Sequence, residues 1–158
     1  MAVRNYTLSG ITEDGVSQSI VPGYEGLDFF CIKERVVVGS AAVQFTLNQK
    51  FPKRAKCMGY AIKCQAAATV TTATHIGIGF GSDVDGISET AIASINGVGE
   101  EEIDFAPDTT SGLDNQTADV ALTLNALNGS GSAAGTINTG TWDIVIWGYK
   151  LSSIETDS

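Results

Sequence analysis

Apolar residues in this chain recur at every second position, and the three-to-four spacing of an amphipathic helix is nearly absent. Successive side chains of an extended strand point to opposite faces, so this alternation predicts half-buried β-strands. In FFCIKERVVV (29–38), Phe30, Ile32, Val36 and Val38 share one face and Lys33 and Arg35 the other. In AAVQFTL (41–47), Ala41, Val43, Phe45 and Leu47 are expected inward, with Gln44 and Thr46 outward. KCMGYAIKCQA (56–66) groups Met58, Tyr60, Ile62 and Cys64 on one face. THIGIGF (74–80) sets Ile76, Ile78 and Phe80 against His75, Gly77 and Gly79. DVALTLNAL (119–127) sets Val120, Leu122, Leu124 and Ala126 against Asp119, Thr123 and Asn125. With shorter candidates at 6–11, 90–95 and 102–106 and a closing strand at 141–151, the expected count is about eight or nine strands.

The closing strand, TWDIVIWGYKL, departs from the one-sided pattern. Trp142, Ile144 and Ile146 point one way, and Val145, Trp147, Tyr149 and Leu151 point the other. A strand of a two-layer sandwich has one face on the core; a second apolar face needs a cover from outside. The simplest cover is another subunit, and Trp and Tyr suit such contacts because they bury large area yet keep a polar atom for hydrogen bonding. Trp147 and Tyr149, or else Trp142, are therefore the expected interface residues.

Asp85-Gly86, Asn96-Gly97 and Asn128-Gly129 are hairpin dipeptides, since Asn and Asp tolerate positive φ and Gly has no Cβ to clash. NGSGSAAGTINTG (128–140) is expected to form a flexible hairpin or a long turn. No repeat or composition shift divides the 158 residues. The chain is expected to be one all-β domain over 1–158, an antiparallel β-sandwich of about eight strands, jelly-roll-like. A possible N-terminal arm, 1–12, would reach a neighbour as an added strand, and residues 152–158 would form a polar tail.

The net charge of −9 is unevenly placed. Residues 1–79 hold eight Lys/Arg against five Asp/Glu, a net of +3, and residues 80–158 hold one Lys against thirteen Asp/Glu, a net of −12. Such asymmetry suits an electrostatic contact, head-to-tail with itself or with another protein. Nucleic acid is an unsuitable partner, because phosphate contacts need a basic face. The chain has no apolar run long enough to span a membrane and no visible secretory signal. Cys31, Cys57 and Cys64 are odd in number and lie in strand-like runs, where a reduced thiol behaves as a small hydrophobe; synthesis in a reducing compartment is expected.

Chemistry is poorly represented. Gly77, Gly79 and Gly81 lack the following helix that a phosphate-binding loop requires, and close packing or a bulge explains them better. Asp83, Asp85 and Glu89 suggest part of a calcium loop without its full ligand set, and an acidic hairpin is the plainer reading. Glu100–Phe105, EEEIDF, reads as a charged edge that discourages unwanted pairing. His75 is the only histidine and has no recognisable catalytic partner. No catalytic residue, cofactor or metal is expected.

The run from AIKCQAAATVTTATHIGIGFGSDVDG to INTGTWDIVIWGYKL, spanning about residues 60–151, resembles small structural proteins of tailed bacteriophages. Their Ala/Thr-rich strands, G-x-G strand with an Asp/Gly turn and closing aromatic strand are nearest to those of capsid decoration (cement) proteins with a jelly-roll-like β-sandwich. The resemblance implies a non-enzymatic virion protein, often a homotrimer, made in the bacterial cytoplasm. It would sit on the capsid surface and bridge major capsid protein subunits. A tail or head-fibre component is an alternative place in the particle. A carbohydrate-binding β-sandwich module, stacking sugars on Trp142, Trp147 and Tyr149, is the alternative outside it.

Overall fold

In a computed structural model, which describes residues 27–105, 113 and 116–151, the alternating runs become eight strands. They are β1 (Leu27–Val38), β2 (Gln44–Phe51), β3 (Ala55–Thr71), β4 (His75–Phe80), β5 (Asp83–Ala91), β6 (Glu101–Asp104), β7 (Val120–Leu127) and β8 (Thr136–Leu151). One short 3-10 turn, Ile92–Ser94, follows β5. The candidate strand 6–11, the arm 1–12 and the tail 152–158 lie outside the described residues.

The strands form two four-stranded sheets, in the orders β1-β8-β3-β6 and β2-β7-β4-β5, with every pairing antiparallel. Odd-numbered strands run one way along the sandwich and even-numbered strands return. Strand 1 lies beside 8, 2 beside 7, 3 beside 6 and 4 beside 5, which is the winding of a jelly roll. The all-β sandwich expected from period two is therefore observed.

The core lies between the sheets. Ile32, Val36, Tyr60, Ile62, Cys64, Trp142, Ile144 and Ile146 of the first sheet meet Leu47, Phe51, Ile76, Ile78, Leu122, Leu124 and Ala126 of the second. Each fully enclosed Leu, Ile or Phe contributes about 1.5–3 kcal/mol relative to exposure. Leu113 is also fully buried.

Three local readings shift. The pairing of β3 with β8 slips between Cys57 and Gly59, and this bulge reverses the faces: Ala55 and Cys57 are buried before it, Tyr60, Ile62 and Cys64 after it, and Met58 points outward. Val43 precedes β2 and is exposed. Strand β8 begins at Thr136, inside the stretch expected as a turn, because β3 extends to Thr71 and pairs with it, Thr69 and Thr139 joining hydroxyls at 2.8 Å.

A glutamate closes each open side of the sandwich. On the β1/β2 side, Glu34 accepts the backbone N–H groups of Asn48 (2.8 Å) and Gln49 (3.0 Å), where the pairing of β2 with β7 is interrupted. On the β5/β6 side, Glu102 accepts the Tyr60 hydroxyl (2.7 Å) and the Thr90 hydroxyl (3.1 Å), joining one sheet to the other. Burial and the neighbouring Glu102 push the Tyr60 phenol well above its ordinary range.

Candidate assembly surface

Strand β8 lies second in its sheet, flanked by β1 and β3, so its outward side chains stand in the middle of a broad face. The registers set them in rows. Phe29, Tyr149 and Lys56 form one row, Cys31, Trp147 and Gly59 the next, and Lys33, Val145, Ala61 and Ile103 a third. Phe29 is 56% exposed, Ile103 52% and Phe105 76%, with Met58 also exposed. Val145, Trp147 and Tyr149 are half-buried. An exposed aromatic and aliphatic group of this kind marks a contact surface more often than isolated apolar residues do.

Gly59 makes room for the indole. A Cβ at that position would collide with the Trp147 ring and with the Asp104 carbonyl. Trp147 therefore lies across β3, and Phe105 meets it edge to face, with ring centroids 5.6 Å apart at 63°. The backbone of β3 and the Phe105 ring hold the indole while leaving the surrounding face apolar.

The same strand sends Trp142 the other way. It is 0% exposed and donates its Nε1–H to the Ile95 carbonyl at 3.3 Å. Trp142 thus presents no surface to a partner or a sugar, and of the three aromatic candidates only Trp147 and Tyr149 face outward.

Ion pairs rim the face. Arg35 holds Asp143 through two bonds of 2.6 and 2.7 Å, and Gln65 donates to the same carboxylate at 2.8 Å. The bond to Arg35 keeps the Asp143 carboxyl below the usual range, and the Arg35 guanidinium is raised in turn. Lys63 meets Glu101 at 3.2 Å on the same face, and Lys150 meets Asp28 at 3.9 Å on the opposite parity, at the end of the β1/β8 ladder. Pairs this exposed stabilise little and mainly set orientation.

The other sequence candidates fall elsewhere. Gly77 and Gly79 lie beneath the backbone of Asp83 and Val84, which would collide with a Cβ at either glycine. The Asn125 amide donates to the Val84 carbonyl at 2.7 Å and accepts from Gln44 at 2.9 Å. The start of β5 thus folds over the outer side of the second sheet, and the glycines serve close packing. Asp85-Gly86 lies inside β5, and the turn between β4 and β5 is made at Gly81, with φ of 57°. Burial, then hydrogen bonding to Asp85, raises the Asp83 carboxyl. Glu89 is spent on the Gly131 N–H at 3.1 Å. Among the described residues no group of three His, Cys, Asp or Glu side chains is placed to hold a metal. His75 shares a hydrogen bond of 2.9 Å with Thr74 and lies against Gly129. Cys57 and Cys64 are buried, the Cys57 thiol donating to the Gly59 carbonyl at 3.7 Å, and Cys31 is exposed on the outer face.

Sequence reasoning did not single out Phe29, Met58, Ile103 and Phe105. Phe29 was legible as the odd-numbered partner of Cys31 on β1. Met58 was not, because the bulge that turns it outward leaves no mark on periodicity. Ile103 and Phe105 were hidden among the glutamates of EEEIDF.

No protein-family model matches the chain, and no curated protein sequence does. Among solved structures, a chain of the capsid asymmetric unit of cyanophage Pam1 is similar, with a TM-score of 0.52 and 14% sequence identity. The likeness covers 84% of this chain and 93% of that one, so the two share the sandwich over nearly their whole lengths.

Proposed function

We propose that this protein is a non-enzymatic structural component of a bacteriophage capsid, which decorates the shell and stabilises it by bridging major capsid protein subunits. The observation that carries the reading is the apolar outer face of the β1-β8-β3-β6 sheet, on a fold similar to that of a cyanophage capsid chain. That chain is of nearly the same size, which favours a small accessory protein over one domain of a large shell protein. Trp147 and Tyr149 are the contact residues, shielded in the particle by a sister copy within a homotrimer. Many copies, each binding only the assembled shell, raise its stability by mass action.

The test is to purify virions of the phage that encodes the chain, locate the protein in the particle by cryo-electron microscopy, and heat shells with and without it. Density on the outer surface and a higher melting temperature of decorated shells are expected. Density in the tail or in head fibres overturns decoration and keeps the virion. A protein absent from the particle that binds polysaccharide through Trp147 and Tyr149 as a monomer overturns both.

A further inference from the structure

The fold gives the charge asymmetry of the sequence a direction. Residues 27–54 build β1, β2 and the turn after β2, and carry five Lys/Arg against two Asp/Glu. Strands β1 and β2 are edge strands of different sheets, stitched together by Glu34 into one lateral side of the sandwich. Residues 83–104 build β5 and β6, and carry seven Asp/Glu with no Lys or Arg. Those strands are the opposite edges, stitched together by Glu102. One lateral side is therefore basic and the other acidic, with exposed apolar residues on each: Phe29 and Val37 on β1, Ile103 and the adjacent Phe105 on β6.

We propose that copies of this chain associate laterally, the basic β1/β2 side of one against the acidic β5/β6 side of the next. Opposite charges steer the two sides together and penalise like-with-like pairing. The strand directions agree with this: β6 runs opposite to β1, so a neighbour rotated about an axis along the strands presents its β1 antiparallel to β6. Outward-facing backbone groups of the two edges can then pair across the contact; the Lys33 carbonyl is already taken, since the Gln49 side-chain amide donates to it at 3.0 Å. Each contact joins two different surfaces, so the assembly is head-to-tail and closes when the rotation per copy divides a full turn. The outer face of the β1-β8-β3-β6 sheet turns toward the ring axis, because it is apolar, whereas the start of β5 already covers part of the other outer face. This arrangement deepens the homotrimer of the proposed function and rests on that reading only for the number three.

Charge reversal on one side and on both tests it, with mass in solution read by light scattering. The wild type is expected at about three times 16.5 kDa. Reversing only the basic side, Lys33→Glu with Lys50→Glu, takes its count from +3 to −1 against −7, and reversing only the acidic side, Asp85→Lys, Glu100→Lys, Glu101→Lys and Asp104→Lys, takes it from −7 to +1 against +3; either should return the mass to 16.5 kDa. Combining both sets in one chain sets −1 against +1, opposite charges with the signs exchanged, and should restore the oligomer. The wild type supplies a second reading that needs no variant to fold: self-association should weaken at least tenfold between about 0.05 and about 0.5 M salt, as screening shortens the reach of the charges. A monomeric wild type, salt-independent association, single-side variants that keep the wild-type mass, or a folded combined variant that stays monomeric would each overturn the proposal. A monomeric protein that still decorates capsids overturns the ring and leaves the capsid reading intact.

Discussion

Glu102 accepts from both the Tyr60 and the Thr90 hydroxyl, and replacing it with alanine exposes what the seam contributes. Tyr60 is 3% exposed and Thr90 1%, so neither hydroxyl can turn to bulk water when the carboxylate is gone. A buried donor left without a partner costs about 1–3 kcal/mol. Two such donors, partly relieved by local adjustment, give an expected loss of about 2–4 kcal/mol for Glu102→Ala. In a chain of this length that lowers the melting temperature by roughly 5–15 °C. Glu102→Gln keeps a side-chain oxygen at the same reach and loses only the charge assistance, so about 1 kcal/mol is expected. The decisive comparison is the triple change Glu102→Ala, Tyr60→Phe, Thr90→Val, which removes the stranded donors and should regain a large part of the loss. Urea unfolding of the four proteins, followed by intrinsic fluorescence, supplies the numbers. If Glu102→Ala lies within about 0.5 kcal/mol of wild type, the seam does not hold the two sheets together and the reasoning fails.

Other outcomes follow from the same geometry. Because the Tyr60 phenol is raised above its unfolded value near 10, its contribution is fully present below about pH 10 and is lost as pH climbs toward the folded value; a pH series of melting temperatures should fall above pH 10, and less steeply for Tyr60→Phe. Gly59→Ala forces a methyl group into the Trp147 ring and the Asp104 carbonyl, and should cost about 1–3 kcal/mol while shifting the Trp147 emission to the red; unchanged emission and stability would sink the account of the indole's seat. Trp142→Ala should cost about 3–5 kcal/mol in chemical denaturation without altering self-association, since that ring is enclosed between the sheets. Gly135→Ala should lower the melting temperature, because φ there is 70° and a Cβ would strike the Thr71 carbonyl and the Ala73 amide.

How much was legible in the sequence is best seen strand by strand. Alternation was enough to place Ile32, Val36, Ile76, Ile78, Leu122, Leu124 and Ile144 toward the core, because a strand with one buried face admits only one parity. It also showed that Trp142 and Trp147 point in opposite directions on β8. Where the ladder gains a residue, parity reverses, and Met58 was assigned to the wrong face for that reason. Strand β8 extended back through Thr136–Gly140, residues whose composition reads as turn, because β3 offered a partner there. Gly77 and Gly79 of GIGFG are close-packing positions as expected, whereas Gly81 has open space around it and serves the turn; the segment that presses on the first two, Asp83–Val84, was beyond prediction from spacing alone.

The sequence by itself determined that this chain is all β, which residues of most strands face the core, and that the strand ending at Leu151 has more apolar surface than its own core can use. Those properties follow from local parity and composition, which each residue carries wherever the strand is placed. Only the tertiary structure decided that β8 lies between β1 and β3, that Phe29, Ile103 and Phe105 join Trp147 and Tyr149 on one face, and that the basic segment 27–54 and the acidic segment 83–104 become opposite sides of the sandwich. These depend on which strands become neighbours, and strand order in a jelly roll is set by pairings between distant segments, such as Arg35 with Asp143, 108 residues apart. No spacing within a strand records such a pairing.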